Sequence, residues 1–343
     1  MIKEYPAKLN LFYLIPVFNC EKTIKRCLNS IYSYDHDINI VIIDDNSNDN
    51  SLQVIKEFSI SSKYKFFILS NLENFGISYS LNKGIEVAIK NGADYILRLD
   101  GDDFNTKSRT DIQIDYMQKH KDVMLPTSSA YLIRDNIIKK PQIFSFISPL
   151  EQYFRPYIPL VGSIDFHPTF CFRSSVFLNF NIRYGYIPDK IKLADKFPFF
   201  RSGAEDLLII NLIIYFYGYR SVVILSKQYL IYYSISQNSL TTSDPTKRRE
   251  LIDKITMSSM ILYLNKYDKI TNINSLLKLS FAISSFHNKD CNYLKIYFSA
   301  IISFFLILNN SKYILLRLIS TCFLPIVSIR LFIESIKTNI LSE

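Results

Sequence analysis

Residues 77–103 read ISYSLNKGIEVAIKNGADYILRLDGDD, and this stretch indicates both a fold class and the place of a site. Residues 77–91 carry apolar side chains at helical spacing, and Gly92 follows them, as is typical of a helix end. Asp94–Leu99 is a mainly apolar segment that leads directly into Asp100–Asp103. A helix followed by a buried strand is part of a βαβ unit, so this stretch favours an α/β fold with a parallel sheet.

The residues before this stretch repeat the same alternation. Leu11–Val17 and Ile38–Ile43 are continuous apolar runs, as expected of strands buried on both faces, and Lys65–Leu69 is a third such strand. We expect a helix capped by Asn19 after the first strand and a helix over Ser51–Phe58 after the second. The pattern predicts a Rossmann-like, mostly parallel central sheet flanked by helices.

The rest of the chain divides into three parts. Residues 141–200 are rich in Pro and aromatic residues and predict irregular structure with short strands. A helix is expected over Ala204–Tyr217, with strands over Val222–Leu225 and Tyr229–Tyr233. The polar segment 240–247 contains Pro245 and is the predicted linker. We therefore expect one domain over residues 1–245 and a helical extension over residues 246–343.

Three of the predicted strands end in distinctive polar residues. These are Phe18 and Asn19 after the first strand, Asp44 and Asp45 after the second, and Asp100–Asp103 after the fourth. Ligands of open parallel sheets bind outside the carboxyl ends of the strands. The coincidence predicts a single site built from three loops.

Each acidic motif has two interpretations when it is taken alone. The closely spaced carboxylates of Asp100–Asp103 repel one another and suit a hard divalent cation, but a solvated acidic turn has the same composition. Asp44 and Asp45 fit either a turn or recognition of a ring N–H by a carboxylate. Glu205 and Asp206 fit either the favourable first turn of a helix or a general base that accepts a proton from a hydroxyl.

Composition and charge exclude several classes of protein. With 343 residues, 48% of them hydrophobic, the chain has enough apolar material for a large core, so a disordered chain is excluded. Its five Cys lack the spacing of a zinc site or a disulfide scaffold and suit a reducing compartment. The N-terminus has no apolar stretch behind its charges, so we expect no signal peptide.

The net charge of +9 is concentrated near the C-terminus. Residues 1–240 contain 27 Lys and Arg against 24 Asp and Glu, whereas residues 241–343 contain 13 against 7. These basic residues alternate with apolar ones and form no dense patch, which favours a membrane surface over nucleic acid. The apolar runs Ile296–Leu308 and Leu318–Ile329 are too short to span a bilayer singly, so we expect interfacial helices. Two buried helices of a soluble domain and a true membrane span are the alternatives.

In this order, the motifs resemble a known enzyme family. LIPVFNCEKTIKRCLNSI at 14–31 is similar to the first strand and helix of inverting family 2 glycosyltransferases of the GT-A fold, and VIIDDNSNDNS at 41–51 is similar to their nucleotide-binding acidic turn. Residues 71–103 are similar to the segment that leads into their DxD motif. HPTFCFRSS at 167–175 and GAEDLLI at 203–209 resemble their later His-Pro and ED motifs. The resemblance is strong over about residues 10–130 and looser to about residue 245.

The resemblance implies roles for particular residues. The nucleotide-sugar donor, most naturally a UDP-sugar, would be bound by a group of side chains that includes Phe18 against the base, Asp45 on a base N–H and Asp100 on the nucleoside. The full implied group is Pro16, Phe18, Asn19, Asp45, Asn74 and Asp100. Asp102 would hold the divalent metal, Mn²⁺ or Mg²⁺. Asp206 would be the catalytic base, and Glu205 would shape the acceptor site.

The chain departs from the family pattern at three places. Leu81 and Asn82 stand where many relatives have Arg-Asn, so a basic contact to the diphosphate is either missing or supplied by Lys83 or Arg98. The segment at 232–236 lacks the Arg and His with which relatives often end the domain. The chain contains no Trp, so the Gln-x-x-Arg-Trp motif of processive synthases is absent and transfer of a single sugar is expected.

The resemblance and the tail together predict a function. The chain is expected to move one sugar to a lipid-diphosphate-linked sugar acceptor in the biosynthesis of a surface polysaccharide, either O-antigen or capsule. Its predicted location is the cytoplasmic face of the cell membrane, as a peripheral or monotopic protein, with no nucleic-acid partner. The alternatives are a glycosyltransferase with a protein or lipid acceptor, and a catalytically silent, membrane-associated binding protein of the same fold.

Overall fold

The computed structural model of the chain describes residues 9–134, 137–139, 166–189, 191 and 205–235. Within these, residues 9–134, 137–139, 166–188 and 205–235 lie in one compact unit. The predicted linker at 240–247, the extension at 246–343 and most of the segment 141–200 lie outside the described residues.

Nine strands and six α-helices make up the described part of the chain. The strands are β1 (Leu11–Val17), β2 (Ile38–Asp44), β3 (Lys65–Ser70), β4 (Tyr95–Arg98), β5 (Phe104–Asn105), β6 (Leu125–Arg134), β7 (Ile137–Lys139), β8 (Cys171–Arg173) and β9 (Val222–Ser234). The helices are α1 (Ile24–Asn29), α2 (Ser51–Ser61), α3 (Ile77–Lys90), α4 (Arg109–Lys119), α5 (Ser175–Phe180) and α6 (Glu205–Tyr217). Short 3₁₀ turns lie at His167–Thr169 and Tyr219–Ser221.

The central sheet has the strand order β3-β2-β1-β4-β8. Its first four strands are parallel and β8 is antiparallel to β4. All but one residue of β1 and of β2 are buried, as their continuous apolar sequences predicted. The predicted mostly parallel α/β sheet is confirmed, and the carboxyl ends of β1, β2 and β4 lie side by side at one edge.

A second sheet has the order β5-β9-β6-β7. The sequence predicted two strands over residues 222–233, whereas the structure has the single strand β9. Ser128 pairs with Leu225 and Ser129 pairs with Tyr229, so the residues between Leu225 and Tyr229 bulge out of the ladder. A β-bulge leaves extra residues unpaired, and these polar residues gave the appearance of a break between two strands.

Helix α4 joins the two sheets through buried polar side chains. The Arg109 guanidinium donates to the backbone oxygen of Arg98 at 2.7 Å, and the Gln113 amide donates to that of Thr169 at 2.7 Å. Both side chains are fully buried. They fix the end of β4 relative to the turn His167–Thr169, and both of these segments contribute to the site.

The predicted cap at Asn19 is wrong. Asn19 has a backbone φ of 54°, in the left-handed region, and α1 begins later, after Thr23. Asn tolerates this conformation better than most residues, because its short polar side chain finds local hydrogen bonds. In the described part of the chain, no helix is both long enough and apolar enough to cross a bilayer.

Candidate active site

The loops after β1, β2 and β4 are tied to one another by hydrogen bonds. The Asn19 N–H donates to Ser47 Oγ at 3.0 Å, and Asn19 Oδ1 accepts from the N–H of Asn48 at 2.8 Å. Thr23 Oγ1 donates to the backbone oxygen of Gly101 at 2.9 Å. The structure therefore brings together the three polar strand ends that the sequence singled out.

Phe18 and Pro16 stand on the first of these loops and the strand before it. Phe18 is 45% exposed, although it follows a strand that is buried almost throughout. An exposed ring on a loop fixed by Asn19 is available for stacking against a planar group. Pro16 is half-buried and pairs in register with Ile43 of β2.

Asp45 anchors the beginning of α3. Its carboxylate accepts from the backbone N–H of Phe75 at 3.0 Å, from that of Gly76 at 2.8 Å, and from the Asn71 amide at 2.7 Å. Asn74 lies half-buried in the loop that these bonds hold. Asp45 is almost fully buried, so the structure gives it a supporting role that the sequence did not reveal. Its contact with a base stays a prediction.

Asp100 is paired with a buried cation. Arg98 donates to both carboxylate oxygens of Asp100, at 2.8 and 2.6 Å, and Arg98 is only 1% exposed. Burial alone lowers the pKa of Arg98, but Asp100 and nearby Tyr184 outweigh it and the pKa is raised. Both terminal nitrogens of Arg98 are thus engaged by Asp100, whereas its Nε has no hydrogen-bond partner, and a contact between Arg98 and a diphosphate stays a prediction.

Lys83 also has partners inside the protein. Its ammonium donates to Asn71 Oδ1 at 2.9 Å and to the backbone oxygen of Ser70 at 3.3 Å. Lys83 is half-buried on α3, beside the loop that Asp45 holds. A diphosphate contact from Lys83 stays a prediction.

Asp100, Asp102 and Asp103 form a cluster that fits a metal ion. One carboxylate oxygen of each lies within 4.8 Å of the others. Burial and then Asp100 raise the pKa of Asp102 to about 6, and burial and then Asp102 raise the pKa of Asp103 well above its ordinary value. Asp103 Oδ1 accepts from the Ser234 N–H at 2.7 Å, whereas its Oδ2 is buried without a hydrogen-bond partner. An orphaned oxygen in a repulsive set of carboxylates is what a divalent cation would satisfy.

Glu205 and Asp206 lie in the first turn of α6. Glu205 is 7% exposed, and burial and then Asp206 raise its pKa to about 8. Its Oε1 lies 3.6 Å from His167 Nδ1, and its Oε2 has no hydrogen-bond partner. Asp206 is half-buried, and its Oδ1 accepts from the N–H of Leu207 at 2.7 Å.

The acidic turn and the ED pair belong to one electrostatic unit. The Arg98 cation lowers the pKa of Glu205, while the Asp100 carboxylate raises it. Such couplings require the groups to lie close together in a poorly solvated region. Arg98 therefore interacts with both Asp100 and Glu205, and Asp206 follows Glu205 directly in the chain.

Two residues of the site escaped the sequence reasoning. Asp103 was part of the quoted acidic turn but had no assigned role, although it is the most buried of the three carboxylates. Tyr184 had no motif to mark it, since its partners Asn82 and His167 are distant in sequence. The pairing of Arg98 with Asp100 could have been predicted from the sequence. Residues two apart along an extended strand share a face, so the two side chains lie next to each other.

Comparison with known proteins shows which family this part of the chain resembles. Residues 13–180 match the family described as Glycosyl transferase family 2. The putative glycosyltransferase EpsE of Bacillus subtilis is 28% identical over 109 residues, which cover 32% of this chain and 38% of EpsE. The poly-beta-1,6-N-acetyl-D-glucosamine synthase of Staphylococcus epidermidis is 31% identical over 100 residues, which cover 29% of this chain and 23% of the synthase. This chain thus spans well under half the length of both.

Two solved structures share the fold. TarS residues 1–349 from S. aureus in complex with UDP has a TM-score of 0.54 and 16% identity, covering 86% of this chain and 81% of that one. The mannosyltransferase PcManGT from Pyrobaculum calidifontis in complex with GDP-Man and Mn²⁺ has a TM-score of 0.56 and 13% identity. The match covers 98% of this chain and 89% of PcManGT. The chain is therefore similar to glycosyl transferase family 2 over residues 13–180, and its fold is a GT-A-like α/β fold.

Proposed function

We propose that this chain is an inverting glycosyltransferase that moves one sugar from a nucleotide-diphosphate sugar, a UDP-sugar, to a hydroxyl of a lipid-diphosphate-linked sugar. The product is a repeat unit of a surface polysaccharide, O-antigen or capsule. One observation carries the enzymatic part of the proposal. Arg98 pairs with Asp100 of the acidic cluster and interacts electrostatically with Glu205, the chain neighbour of the proposed base Asp206, which supports a metal-binding group and a base in one region.

The comparisons support the donor class and the polysaccharide context. TarS was solved with UDP and PcManGT with GDP-Man, so a nucleotide diphosphate occurs with this fold in both cases. A polysaccharide synthase is among the sequence relatives. Between the two nucleotides we propose UDP, because the acidic turn at Asp45 resembles the nucleotide-binding turn of the family and Asp45 would most naturally accept from the N–H of uracil. A guanosine donor is the alternative outcome of the test below.

The acidic cluster fits a divalent cation, Mn²⁺ or Mg²⁺. Asp102 and the orphaned Oδ2 of Asp103 would hold it, because Arg98 already occupies both oxygens of Asp100. Carboxylate oxygens are the ligands that hard divalent cations prefer. When bound, such a cation supplies charge neutralisation for the diphosphate of the donor. The Mn²⁺ in the PcManGT complex agrees with this.

The residues of the chain divide the reaction between them. Asp206 accepts the proton of the acceptor hydroxyl while the oxygen of that hydroxyl attacks the anomeric carbon. The nucleotide diphosphate leaves from the opposite face, so the configuration of the sugar inverts in a single displacement. Phe18 stacks against the base, and the loops held by Asn19 and Asp45 orient the nucleotide. Asp100, neutralised by Arg98, contacts the nucleoside.

Glu205 and Asp206 have different tasks because their surroundings differ. Glu205 is the more deeply buried of the two, and with its pKa raised to about 8 it is mainly protonated at neutral pH. A protonated Glu205 places no second negative charge beside Asp206, which leaves Asp206 as the group that takes the proton. Glu205 then lines the acceptor side as a neutral hydrogen-bonding group.

We also propose that the C-terminal extension brings the enzyme to its acceptor at the cytoplasmic face of the membrane. The support comes from sequence, since residues 241–343 hold a net charge of +6 interleaved with apolar runs. Such segments bind anionic membrane surfaces. A lipid-linked acceptor diffuses in that surface, so attachment there raises its local concentration.

A donor screen tests the proposed function. The full chain is incubated with Mn²⁺ and a panel of UDP-, GDP- and other nucleotide sugars, with and without a lipid-diphosphate-sugar acceptor, and nucleotide release is measured. We expect acceptor-dependent release from one UDP-sugar and an inverted anomeric configuration in the product. Release from a GDP-sugar would correct the donor, and no release from any donor would overturn the enzymatic assignment.

A further inference from the structure

A series of polar contacts connects α3 to α6 through the interior of the domain. The Asn82 side chain binds both backbone groups of Tyr184, since its Nδ2 donates to the Tyr184 oxygen at 3.0 Å and its Oδ1 accepts from the Tyr184 N–H at 2.8 Å. This two-point contact leaves the backbone of Tyr184 little freedom. Asn82 belongs to the Leu81-Asn82 pair that stands where relatives have Arg-Asn, and the proposed mechanism gives it no role.

Tyr184 passes the connection on to His167. Its hydroxyl lies 3.1 Å from His167 Nε2, and Tyr184 is fully buried. Phe170 packs 4.9 Å from the His167 ring between centroids, and Phe172 packs 6.2 Å from the Tyr184 ring. The two rings therefore meet at a buried place between these aromatic side chains and the charged groups of the site, where polar contacts are strong.

His167 reaches Glu205 on its other side. His167 Nδ1 lies 3.6 Å from Glu205 Oε1, and the side chains are 10% and 9% exposed. Burial, and then the nearby Arg98 cation, hold the pKa of His167 well below its ordinary value, so the ring is neutral. A neutral imidazole has one donor and one acceptor nitrogen. His167 thus lies at hydrogen-bond distance from Tyr184 and in contact with Glu205 just beyond that distance, and either of its tautomers can serve both neighbours.

We propose that Asn82, Tyr184 and His167 form a positioning relay that holds Glu205 in place and, through the first turn of α6, aims Asp206 at the acceptor hydroxyl. This inference rests on the proposed function, because it assigns Asp206 the role of base. None of the three relay residues touches the reacting atoms. They act by fixing a carboxyl group whose other oxygen has no hydrogen-bond partner.

The geometry explains why Glu205 needs such support. A buried carboxyl with one oxygen lacking a hydrogen-bond partner has few contacts that define its rotamer, and Asp206 follows it directly in the chain. A displacement of about 1 Å in a catalytic group can lower the rate by about 100-fold. Loss of the relay should therefore reduce turnover, while donor binding at the loops after β1 and β2 should be preserved.

The first experiment removes one hydroxyl from the relay. Tyr184→Phe keeps the ring and loses the bond to His167, and we expect kcat to fall about 10- to 100-fold with an unchanged KM for the donor. Tyr217→Phe is the matched control. It also removes one tyrosine hydroxyl, which donates to the backbone oxygen of Ser175 at 2.8 Å, but Tyr217 lies at the opposite end of α6 from Glu205. Equal kcat values for the two variants would overturn the relay.

The second experiment distinguishes the roles of the two ring nitrogens of His167. His167→Asn places an amide near the position of Nδ1 and keeps the contact with Glu205, whereas His167→Gln places one near Nε2 and keeps only the contact with Tyr184. We expect the Asn variant to retain at least fivefold more activity than the Gln variant. Equal activities, whether high or low, would contradict the relay. This comparison decides the matter if Tyr184→Phe does not fold.

A third measurement separates failure of the relay from failure of the proposed function. If the wild-type chain turns over no donor, the proposed function fails and activity says nothing about His167. The ¹³C NMR signal of the Glu205 carboxyl then decides, because it senses its neighbour directly. A signal that shifts in His167→Gln and not in His167→Asn supports the relay, and a signal unchanged in both overturns it.

Discussion

At the scale of single residues, Arg98 and Asp100 are the pair on which the site depends. Both terminal nitrogens of Arg98 bind Asp100, and the guanidinium is buried. Removing one partner of a buried pair leaves an uncompensated charge, which costs about 3–5 kcal/mol. We therefore expect Arg98→Met to lower the free energy of unfolding by about that amount in urea denaturation.

The double variant Arg98→Met with Asp100→Asn is the control for this prediction. Because it removes both charges, its unfolding free energy should be closer to that of the wild type than that of Arg98→Met alone. If the stability losses of the single variants Arg98→Met and Asp100→Asn simply added up in the double variant, the two side chains would have no coupling energy. That result would contradict the central place of the pair in the site.

Glu205 gives the protein a distinctive dependence on pH. Its pKa rises from an ordinary 4.5 to about 8 in the fold, so between these values the folded state binds more protons than the unfolded state. The stability that Glu205 contributes is therefore complete below about pH 4.5 and is lost as pH rises toward 8. Glu205→Gln removes this titration. Melting temperatures from pH 5 to 8 should decline less in the variant, and parallel curves would contradict the raised pKa.

At the scale of elements, the packing of α3 on β1 depends on Gly84. A Cβ at this position would lie 2.1 Å from Leu14 Cδ1, and Leu14 is buried in β1. Overpacking of a tight core costs about 1–3 kcal/mol, although Ala favours a helix by about 1 kcal/mol relative to Gly. We expect Gly84→Ala to destabilise the domain by about 1–2 kcal/mol in chemical denaturation.

Leu14 supplies the control for this packing. In a Leu14→Ala background the Leu14 side-chain atoms that would clash with a Cβ at position 84 are absent, so Gly84→Ala should be neutral or stabilising there. The same loss in both backgrounds would show that the close approach of α3 to β1 is not its cause.

The elements themselves were largely predictable from sequence. β1 matches its predicted range, and the helix of residues 77–90 differs by one residue, because long apolar runs and helical periodicity are local signals. The antiparallel strand β8 was not predicted, since a three-residue strand has no periodicity of its own. The site was predictable in outline only. Asp45 binds residues 26–31 positions away in the sequence, and its partners follow from sheet register rather than from any local pattern.

At the scale of the whole molecule, the basic and apolar extension predicts attachment to membranes. The full chain should sediment with vesicles that contain anionic lipid and should bind neutral vesicles more weakly, because each basic residue near the surface contributes about 1 kcal/mol. Binding should weaken as salt rises, since the Debye length falls to about 3 Å at 1 M. A full chain that stays in the supernatant with anionic vesicles at low salt would contradict the membrane proposal.

The division of labour between Asp102 and Asp206 is the centre of the proposed mechanism. A base contributes about 10²- to 10⁴-fold to the rate, so Asp206→Asn should lower transfer by that factor while it preserves donor binding. Asp102→Asn should instead weaken the binding of Mn²⁺, and with it the metal-dependent binding of the donor.

The most direct measurement is therefore sugar transfer and donor affinity in the wild type and in these two variants, with Mn²⁺ and with a chelator. The expected result is transfer by the wild type with Mn²⁺ only, donor binding without transfer in Asp206→Asn, and loss of metal-dependent donor binding in Asp102→Asn. Wild-type transfer rates in both variants would contradict the assignment of the site.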